Sequence, residues 1–126
     1  MTINSHQDHT ASYYAATANK QTVYEQLNGH KKTDVCVIGA GFTGISTALH
    51  LAERGYKVHV LEANKVGWGA SGRNGGQLLH GFSSENYSSQ KHTQEEIKIL
   101  WQFTLDAVRE VKKNIKELNI QCDLIE

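Results

Sequence analysis

Residues 34–62 constrain what this chain can fold into more than any other stretch. They begin with a short apolar run, Val35–Ile38, of the kind that forms a buried parallel strand. Glycines in G-x-G-x-x-G spacing follow, and then a helical segment that closes with Arg54 and Gly55, a cation and a left-handed cap. A second strand, Val58–Leu61, ends at an acid. This order predicts one β-α-β unit of about 30 residues, the length of a dinucleotide-binding fingerprint.

Each glycine of the fingerprint has a separate task. Gly39 allows the tight turn after the strand, Gly41 lets the backbone approach a pyrophosphate, and Gly44 lets the helix pack closely on the sheet. No Ser, Thr, Asp or Asn is placed to cap the helix's own first turn, so its N–H groups are available to a phosphate. Glu62 lies 18 residues after Gly44, where a carboxylate accepts the ribose hydroxyls and repels a 2′-phosphate. The pattern predicts an adenine-dinucleotide site that disfavours NADP; the alternative is an ordinary β-α turn with three structural glycines.

The composition limits the class of protein. Across 126 residues, 13 basic side chains balance 13 acidic ones, so no excess of positive charge favours nucleic acid or an anionic membrane as a partner. No apolar run approaches the roughly 18 residues of a membrane span. The polar N-terminus lacks the basic and apolar regions of a secretory signal. The length suits one modest domain.

Cysteine and histidine usage points to a reducing compartment without a metal site. Cys36 lies in the first strand, where we expect a small buried thiol, and Cys122 lies near the C-terminus. Two distant cysteines without CxxC spacing favour the cytoplasm over a disulfide scaffold. His6 and His9 form the one close histidine pair, in a polar tail with no other ligand nearby, so we expect no metal there.

The segments on either side of the fingerprint are less regular. Residues 1–32 are polar, and we expect an extended N-terminal arm with one helical turn around Val23–Leu27. Its concentrated apolar patch, Ser12–Ala16, could pack on the globular body or on a partner. Residues 80–92 form a polar sequence that predicts a loop.

A long amphipathic helix is predicted over Gln94–Leu118, opened by a T-x-x-E capping box of Thr93 and Glu96. Apolar residues recur at steps of three and four, which predicts a buried stripe that belongs to the core. The stripe consists of Ile97, Leu100, Trp101, Leu105, Val108, Val111, Ile115 and Leu118. The expected ion pairs on the exposed side are Asp106 with Arg109 and Lys113 with Glu117. Ile120–Ile125 predicts a short strand.

A second glycine-rich segment, residues 63–79, follows the acid directly. It contains Gly67, Gly69, Gly72, Gly75 and Gly76, more glycine than a helix interior or a simple turn needs. Backbone that passes close to a ligand explains such a composition.

Together, the fingerprint and the run Gly67–Gln77 resemble the N-terminal part of FAD-dependent amine and amino-acid oxidoreductases, the group of D-amino-acid oxidase, glycine oxidase and sarcosine oxidase. The resemblance covers residues 12–125 and implies an α/β fold, the first part of a Rossmann-like FAD-binding domain. Residues 33–119 would form that partial domain, and residues 120–126 would begin a substrate domain. The residues that the resemblance implies as FAD contacts are Gly39, Gly41, Phe42, Thr43, Gly44, Glu62, Ala63, Ala70, Ser71, Gly72, Arg73, Asn74, Gly75, Gly76 and Gln77.

The chemistry of these side chains suits the implied cofactor, although each has a simpler alternative. Arg73 can neutralise phosphate, or it can be a surface cation paired with a carboxylate. Ser71 and Asn74 can donate hydrogen bonds to the cofactor, or they can form a turn. Trp68 can contact the cofactor or serve only packing.

The activity implied is oxidation of a small amine or amino acid by hydride transfer to FAD, followed by hydrolysis of the imine. No residue of the chain is assigned as acid, base or nucleophile. Enzymes of this group run to several hundred residues, so we expect this chain to be an N-terminal fragment that is inactive alone. Two alternatives stay open: an NAD- or FAD-dependent dehydrogenase of another family, and a non-catalytic nucleotide-binding module that uses the Trp101 helix as an interface.

Overall fold

The computed structural model describes residues 11–19, 22–81 and 92–126. The chain forms two compact units, Met1–Gly75 and Gly76–Glu126. His6, His9 and most of the predicted loop at 80–92 lie outside the described residues. The helices and strands are α1 (Tyr13–Thr17), β1 (Val35–Ile38), α2 (Phe42–Glu53), β2 (Val58–Leu61) and α3 (Gln94–Glu117), with a 3₁₀ turn at Ala70–Gly72. No helix in the described part of the chain is long and apolar enough to span a membrane.

The predicted β-α-β unit is present in the first unit. β1 and β2 pair in parallel, in a register that runs from Val35 opposite Val58 to Ile38 opposite Leu61. Asp34 fixes the start of this register, because its carboxylate accepts a hydrogen bond from the Lys57 N–H at 2.7 Å. Both strands have the bounds that their apolar runs predict, so the α/β reading of this stretch is confirmed.

Helix α2 ends where the sequence predicts. Arg54 is the C-cap, and its guanidinium donates to the carbonyl of His50 at 2.8 Å, which satisfies an acceptor of the last turn. Gly55 follows with φ +86°, a left-handed conformation that glycine adopts without a steric penalty. The chain can therefore reverse sharply into β2.

The two-stranded sheet is covered by α2 on one face. Val37 faces α2, since its Cγ1 lies 3.4 Å from the place a Cβ on Gly44 would take. Because side chains alternate along a strand, Cys36 and Ile38 point to the opposite face of the sheet. Both are exposed, and 79 % of the surface of Ile38 is accessible. The expected burial of Cys36 is therefore wrong, because no described residue buries it. In the described part of the chain, Ala40 is the one buried apolar residue.

The N-terminal arm carries its helical turn in a different place from the one predicted. α1 forms at Tyr13–Thr17, where the Ser12 hydroxyl caps the helix by accepting from the Ala15 N–H at 3.2 Å. The predicted turn at Val23–Leu27 is absent. Val23 is 93 % exposed, and a short helix without packing is unstable in water.

Helix α3 begins with the predicted capping box. The Thr93 hydroxyl accepts from the Glu96 N–H, and the Glu96 carboxylate accepts from the Thr93 N–H at 2.7 Å. The apolar stripe is less buried than predicted: the one buried residue of α3 is Thr104, and Trp101 is 43 % exposed. The other described residues of its unit are 76–81, 92–93 and 118–126, which are too few to cover a helix of 24 residues.

The ion pairs of α3 match the prediction in part. Asp106 and Arg109 pair at 2.7 Å, as predicted. Lys113 pairs at 3.6 Å with Glu110 instead of Glu117. A glutamate on the N-terminal side of its lysine is the arrangement that the helix dipole favours.

The predicted strand at 120–125 does not form. Asn119 and Asp123 have φ angles of +49° and +51°, which interrupt an extended backbone. Lys112 then binds the Glu126 carboxylate at 2.7 Å, so the segment turns back along α3. The described residues of its own unit contain no strand for it to pair with, and an extended segment without a partner leaves its backbone groups unpaired.

The close packing of α2 on β1 predicts a large effect of Gly44→Ala on stability. A Cβ at this position would overlap the carbonyl oxygen of Gly39. The helix must then move away from the strand, and we expect the free energy of unfolding to fall by about 1–3 kcal/mol. Denaturant unfolding followed by circular dichroism measures the change.

Gly75→Ala is the matched control. A Cβ on Gly75 meets no atom within 4 Å, so we expect a change in the free energy of unfolding below about 0.5 kcal/mol. Equal effects of the two substitutions would contradict the packing role of Gly44.

Candidate cofactor-binding site

The turn between β1 and α2 has the geometry that its first glycine predicts. Gly39 has φ +96°, in the left-handed region that favours glycine. Its N–H donates to the carbonyl of Leu61 at 2.7 Å, which continues the sheet pairing to the last residue before the turn. The chain then bends away from the sheet into Gly41, the N-cap of α2.

The acid at the end of β2 is held against this turn. One oxygen of the Glu62 carboxylate accepts from the Ala40 N–H at 2.7 Å, and the other accepts from the Asn64 N–H at 2.9 Å. A carboxylate has about four lone-pair positions, so each oxygen keeps a position for a further donor. Glu62 therefore stands half-buried beside the fingerprint turn and can still receive ribose hydroxyls.

The hydrogen bonds also keep Glu62 ionised. The bond from the Ala40 N–H is the largest influence and lowers the pKa of the carboxyl below its ordinary value of 4.5. Partial burial acts in the opposite direction, while the N–H groups of Asn64 and Ala63 lower the pKa further. The net result is a negative charge held beside the fingerprint turn, which disfavours a second anion close to it.

The start of α2 differs in one respect from the prediction. No neighbouring side chain caps it, but the Phe42 N–H donates at 2.9 Å to the hydroxyl of Ser71, which lies 29 residues further on. The next two N–H groups, those of Thr43 and Gly44, have no acceptor among the residues that the structure describes. The helix N-terminus thus keeps donors that a phosphate oxygen can accept.

The contact between Ser71 and the helix requires glycine at the N-cap. A Cβ on Gly41 would lie 2.9 Å from the Ser71 hydroxyl oxygen. The spacing predicts that a ligand approaches the backbone of Gly41 closely. In this structure the side chain of Ser71, from the second glycine-rich segment, makes that close approach. Gly67 adds a further link, since its N–H donates to the carbonyl of Ala40 at 2.9 Å.

The second glycine-rich segment folds as a short 3₁₀ turn. The Gly72 N–H donates to the Gly69 carbonyl and the Arg73 N–H donates to the Ala70 carbonyl, both at 3.1 Å. Gly72 is buried and Ser71 is half-buried. The turn therefore presents the Ser71 hydroxyl to the start of α2.

Arg73 stacks on Trp68. Its guanidinium carbon lies 4.3 Å from the centre of the indole ring, and its Nε donates to the Trp68 carbonyl at 3.0 Å. Arg73 makes no ion pair with a carboxylate within the described part of the chain. The packing role of Trp68 is thus observed, and the contact of Arg73 with phosphate stays a prediction.

Asn74 takes the turn-forming role. Its Nδ2 donates to the Ser71 carbonyl at 2.9 Å and more weakly to the Ala70 carbonyl at 3.4 Å. Its Oδ1 accepts from the Tyr14 hydroxyl at 3.2 Å, across 60 residues of sequence. Any contact of Asn74 with a cofactor stays a prediction.

The remaining predicted residues are less closely grouped. Ala63, Ala70 and Gly75 are exposed in the first unit. Gly76 and Gln77 belong to the second unit and are exposed there. The structure thus assembles Gly39, Gly41, Gly44, Glu62 and Ser71 around one turn.

Sequence reasoning missed three residues that shape the site. They are Ala40, whose N–H binds the acid, Asn64, whose N–H binds its second oxygen, and Tyr14. Every residue except proline has a backbone N–H, so the residue types at Ala40 and Asn64 gave no indication of this role. Tyr14 did have one, since it lies in the concentrated apolar patch of the arm.

Comparison with known proteins agrees with this geometry. The model of the FAD dependent oxidoreductase family, DAO, matches residues 34–126. Gamma-glutamylputrescine oxidoreductase of Escherichia coli is 44 % identical over 117 residues, which are 92 % of this chain and 28 % of that protein. A probable oxidoreductase, OrdL, of Haemophilus influenzae is 43 % identical over 121 residues, which are 94 % of this chain and 28 % of that protein. No solved structure gives a significant match.

The relatives also match the finer resemblance within the group. Ser12–Ala16, Asp34–Val37, Ala48–Glu53 and Gly69–Gln77 resemble gamma-glutamylputrescine oxidoreductase in particular, and that enzyme is among the relatives found. The chain spans about 28 % of the length of these two curated relatives. Since the family model covers the fingerprint, the acid and the second glycine-rich segment together, the chain belongs to the FAD dependent oxidoreductase family, with FAD as cofactor and a Rossmann-like α/β fold.

Proposed function

We propose that this chain supplies the adenosine- and pyrophosphate-binding part of an oxidoreductase that oxidises an amine or amino acid similar to gamma-glutamylputrescine. The observation that carries the proposal is the convergence of Glu62 and Ser71 on the fingerprint turn. One is an anion held by the Ala40 N–H, and the other is a hydroxyl held by the Phe42 N–H at the start of α2. An adenosine diphosphate needs these groups at its ribose and its phosphates.

The residues present fit the FAD of the family. Glu62 would hold the ribose hydroxyls, and the N–H groups of Thr43 and Gly44 would donate to pyrophosphate oxygens. Ser71 accepts from the Phe42 N–H, so its own O–H proton is left to donate to a phosphate oxygen. Arg73, fixed on Trp68, would add positive charge nearby. When bound, FAD supplies the acceptor for the hydride that leaves the amine-bearing carbon.

Two further parts of the proposal rest on the relatives and on the cysteines. An amine substrate is supported by the name of the Escherichia coli relative, gamma-glutamylputrescine oxidoreductase. A cytoplasmic location is supported by Cys36 and Cys122, which are both free and exposed. Both parts are proposals about the whole protein.

The 126-residue chain is expected to be inactive alone. A sheet of two strands leaves Cys36 and Ile38 uncovered and offers only one face to α2, which is little support for a large cofactor. After purification we expect a flavin content well below one per chain and no amine oxidation. Visible absorbance of the flavin at about 450 nm measures the flavin content, and an oxidase assay with gamma-glutamylputrescine measures amine oxidation. Stoichiometric flavin together with turnover would contradict this part of the proposal.

Nucleotide discrimination tests the site itself. We expect the chain to bind ADP, and to bind its 2′-phosphorylated counterpart about tenfold or more weakly, because the Glu62 carboxylate repels the added phosphate. Two-dimensional NMR titration gives both dissociation constants and shows which amides shift. The expected shifts lie at Ala40, Thr43 and Gly44. Equal affinity for the two ligands would overturn the ribose role of Glu62.

The lowered pKa of Glu62 predicts a pH-dependent contribution to stability. A carboxyl whose folded pKa lies below its unfolded value stabilises the fold above the unfolded value of about 4.5. That contribution is lost as the pH falls through 4.5 towards the folded pKa. We expect Glu62→Gln to lower the free energy of unfolding at pH 7 by about 1–2 kcal/mol, since the amide cannot accept both N–H bonds with full charge.

Denaturant unfolding between about pH 7 and pH 3 measures this effect as the difference between wild type and variant. Glu96 and Glu126 also have lowered pKa values, through Thr93 and Lys112, but they cancel in that difference. Glu117→Gln is the matched control, because Glu117 makes no ion pair within the described residues. A gap between wild type and Glu62→Gln that stays constant down to pH 3 would refute the assigned role.

A further inference from the structure

The N-terminal helix α1 is hydrogen-bonded to the site through Tyr14. The Tyr14 hydroxyl donates to Oδ1 of Asn74 at 3.2 Å. Tyr14 is half-buried, whereas its neighbour Tyr13 is 72 % exposed and its hydroxyl has no partner in the described part of the chain. The two rings meet edge to face with centres 5.9 Å apart. The contact is therefore specific to one of two adjacent tyrosines.

This contact is the first link of a chain of hydrogen bonds that ends at the fingerprint helix. The second link is the bond from the Asn74 Nδ2, which donates to the Ser71 carbonyl at 2.9 Å. Ser71 in turn accepts the Phe42 N–H through its hydroxyl at 2.9 Å. Tyr14, Asn74, Ser71 and the N-terminus of α2 are thus linked in series, all within the first unit.

We propose that α1 is a strap that holds the second glycine-rich segment against the start of α2, with Tyr14 as its positioning residue. A segment containing Gly69, Gly72 and Gly75 has much conformational freedom to lose, and one external hydrogen bond restricts it at its end. The N-terminal arm then contributes to cofactor affinity without touching the cofactor. The step from loop position to affinity rests on the proposed function.

The strap itself predicts a change in hydrogen exchange without any ligand. In Tyr14→Phe the Asn74 side chain loses its hydrogen bond from α1, so we expect the N–H groups of Phe42, Gly72 and Arg73 to exchange about two- to tenfold faster. The N–H of Gly55, which caps the far end of α2, should be unchanged. Tyr13→Phe is the matched control and should alter none of these rates. Unchanged rates in Tyr14→Phe, or equal changes in both variants, would overturn the proposal.

Ligand titration then separates positioning from general stability. We expect Tyr14→Phe to raise the dissociation constant for ADP about two- to fivefold, and to leave that for adenosine unchanged, since adenosine has no phosphate for the loop to meet. In an Asn74→Ala background, Tyr14→Phe should have no further effect. An equal loss of affinity for ADP and adenosine contradicts a positioning role. Faster exchange in Tyr14→Phe with no ADP binding by the wild type supports the strap and counts against the proposed function alone.

Discussion

The hydrogen bond from the Ala40 N–H to the Glu62 carboxylate joins the ends of both strands. It ties the first residue after β2 to the turn after β1, next to the bond from the Gly39 N–H to the Leu61 carbonyl. Parallel strands cannot be joined by a short hairpin, so these two bonds add to the ladder in holding the carboxyl ends of β1 and β2 together. The acid is therefore structural and chemical at once: it fixes the turn and leaves a negative charge beside it.

The second glycine-rich segment depends on that turn. Its first link is the Gly67 N–H on the Ala40 carbonyl, and its second is the Ser71 hydroxyl on the Phe42 N–H. The second link leaves little room for a side chain at the N-cap of α2, since a Cβ on Gly41 would lie 2.9 Å from the Ser71 hydroxyl oxygen. The chain belongs to the FAD dependent oxidoreductase family, and we propose that these two segments together hold its cofactor.

The pattern of residues predicted the fold most reliably where local chemistry decides it. The bounds of β1 and β2, the end of α2 at Gly55 and the capping box of Thr93 and Glu96 all follow from short-range preferences. Expectations that needed a distant partner were less successful. The segment 120–125 has no strand to pair with among the described residues of its own unit, and Cys36 lies exposed on the sheet.

The sequence alone determined the β-α-β unit, the glycine turn and the acid at its end, because the spacing of apolar residues and glycines limits the backbone to few conformations. It also indicated the family, which the family model confirms. Only the tertiary structure decided that Ser71 caps α2 and that Tyr14 reaches Asn74. These contacts span 29 and 60 residues, and a hydroxyl or an amide in sequence does not reveal which distant group it will bind.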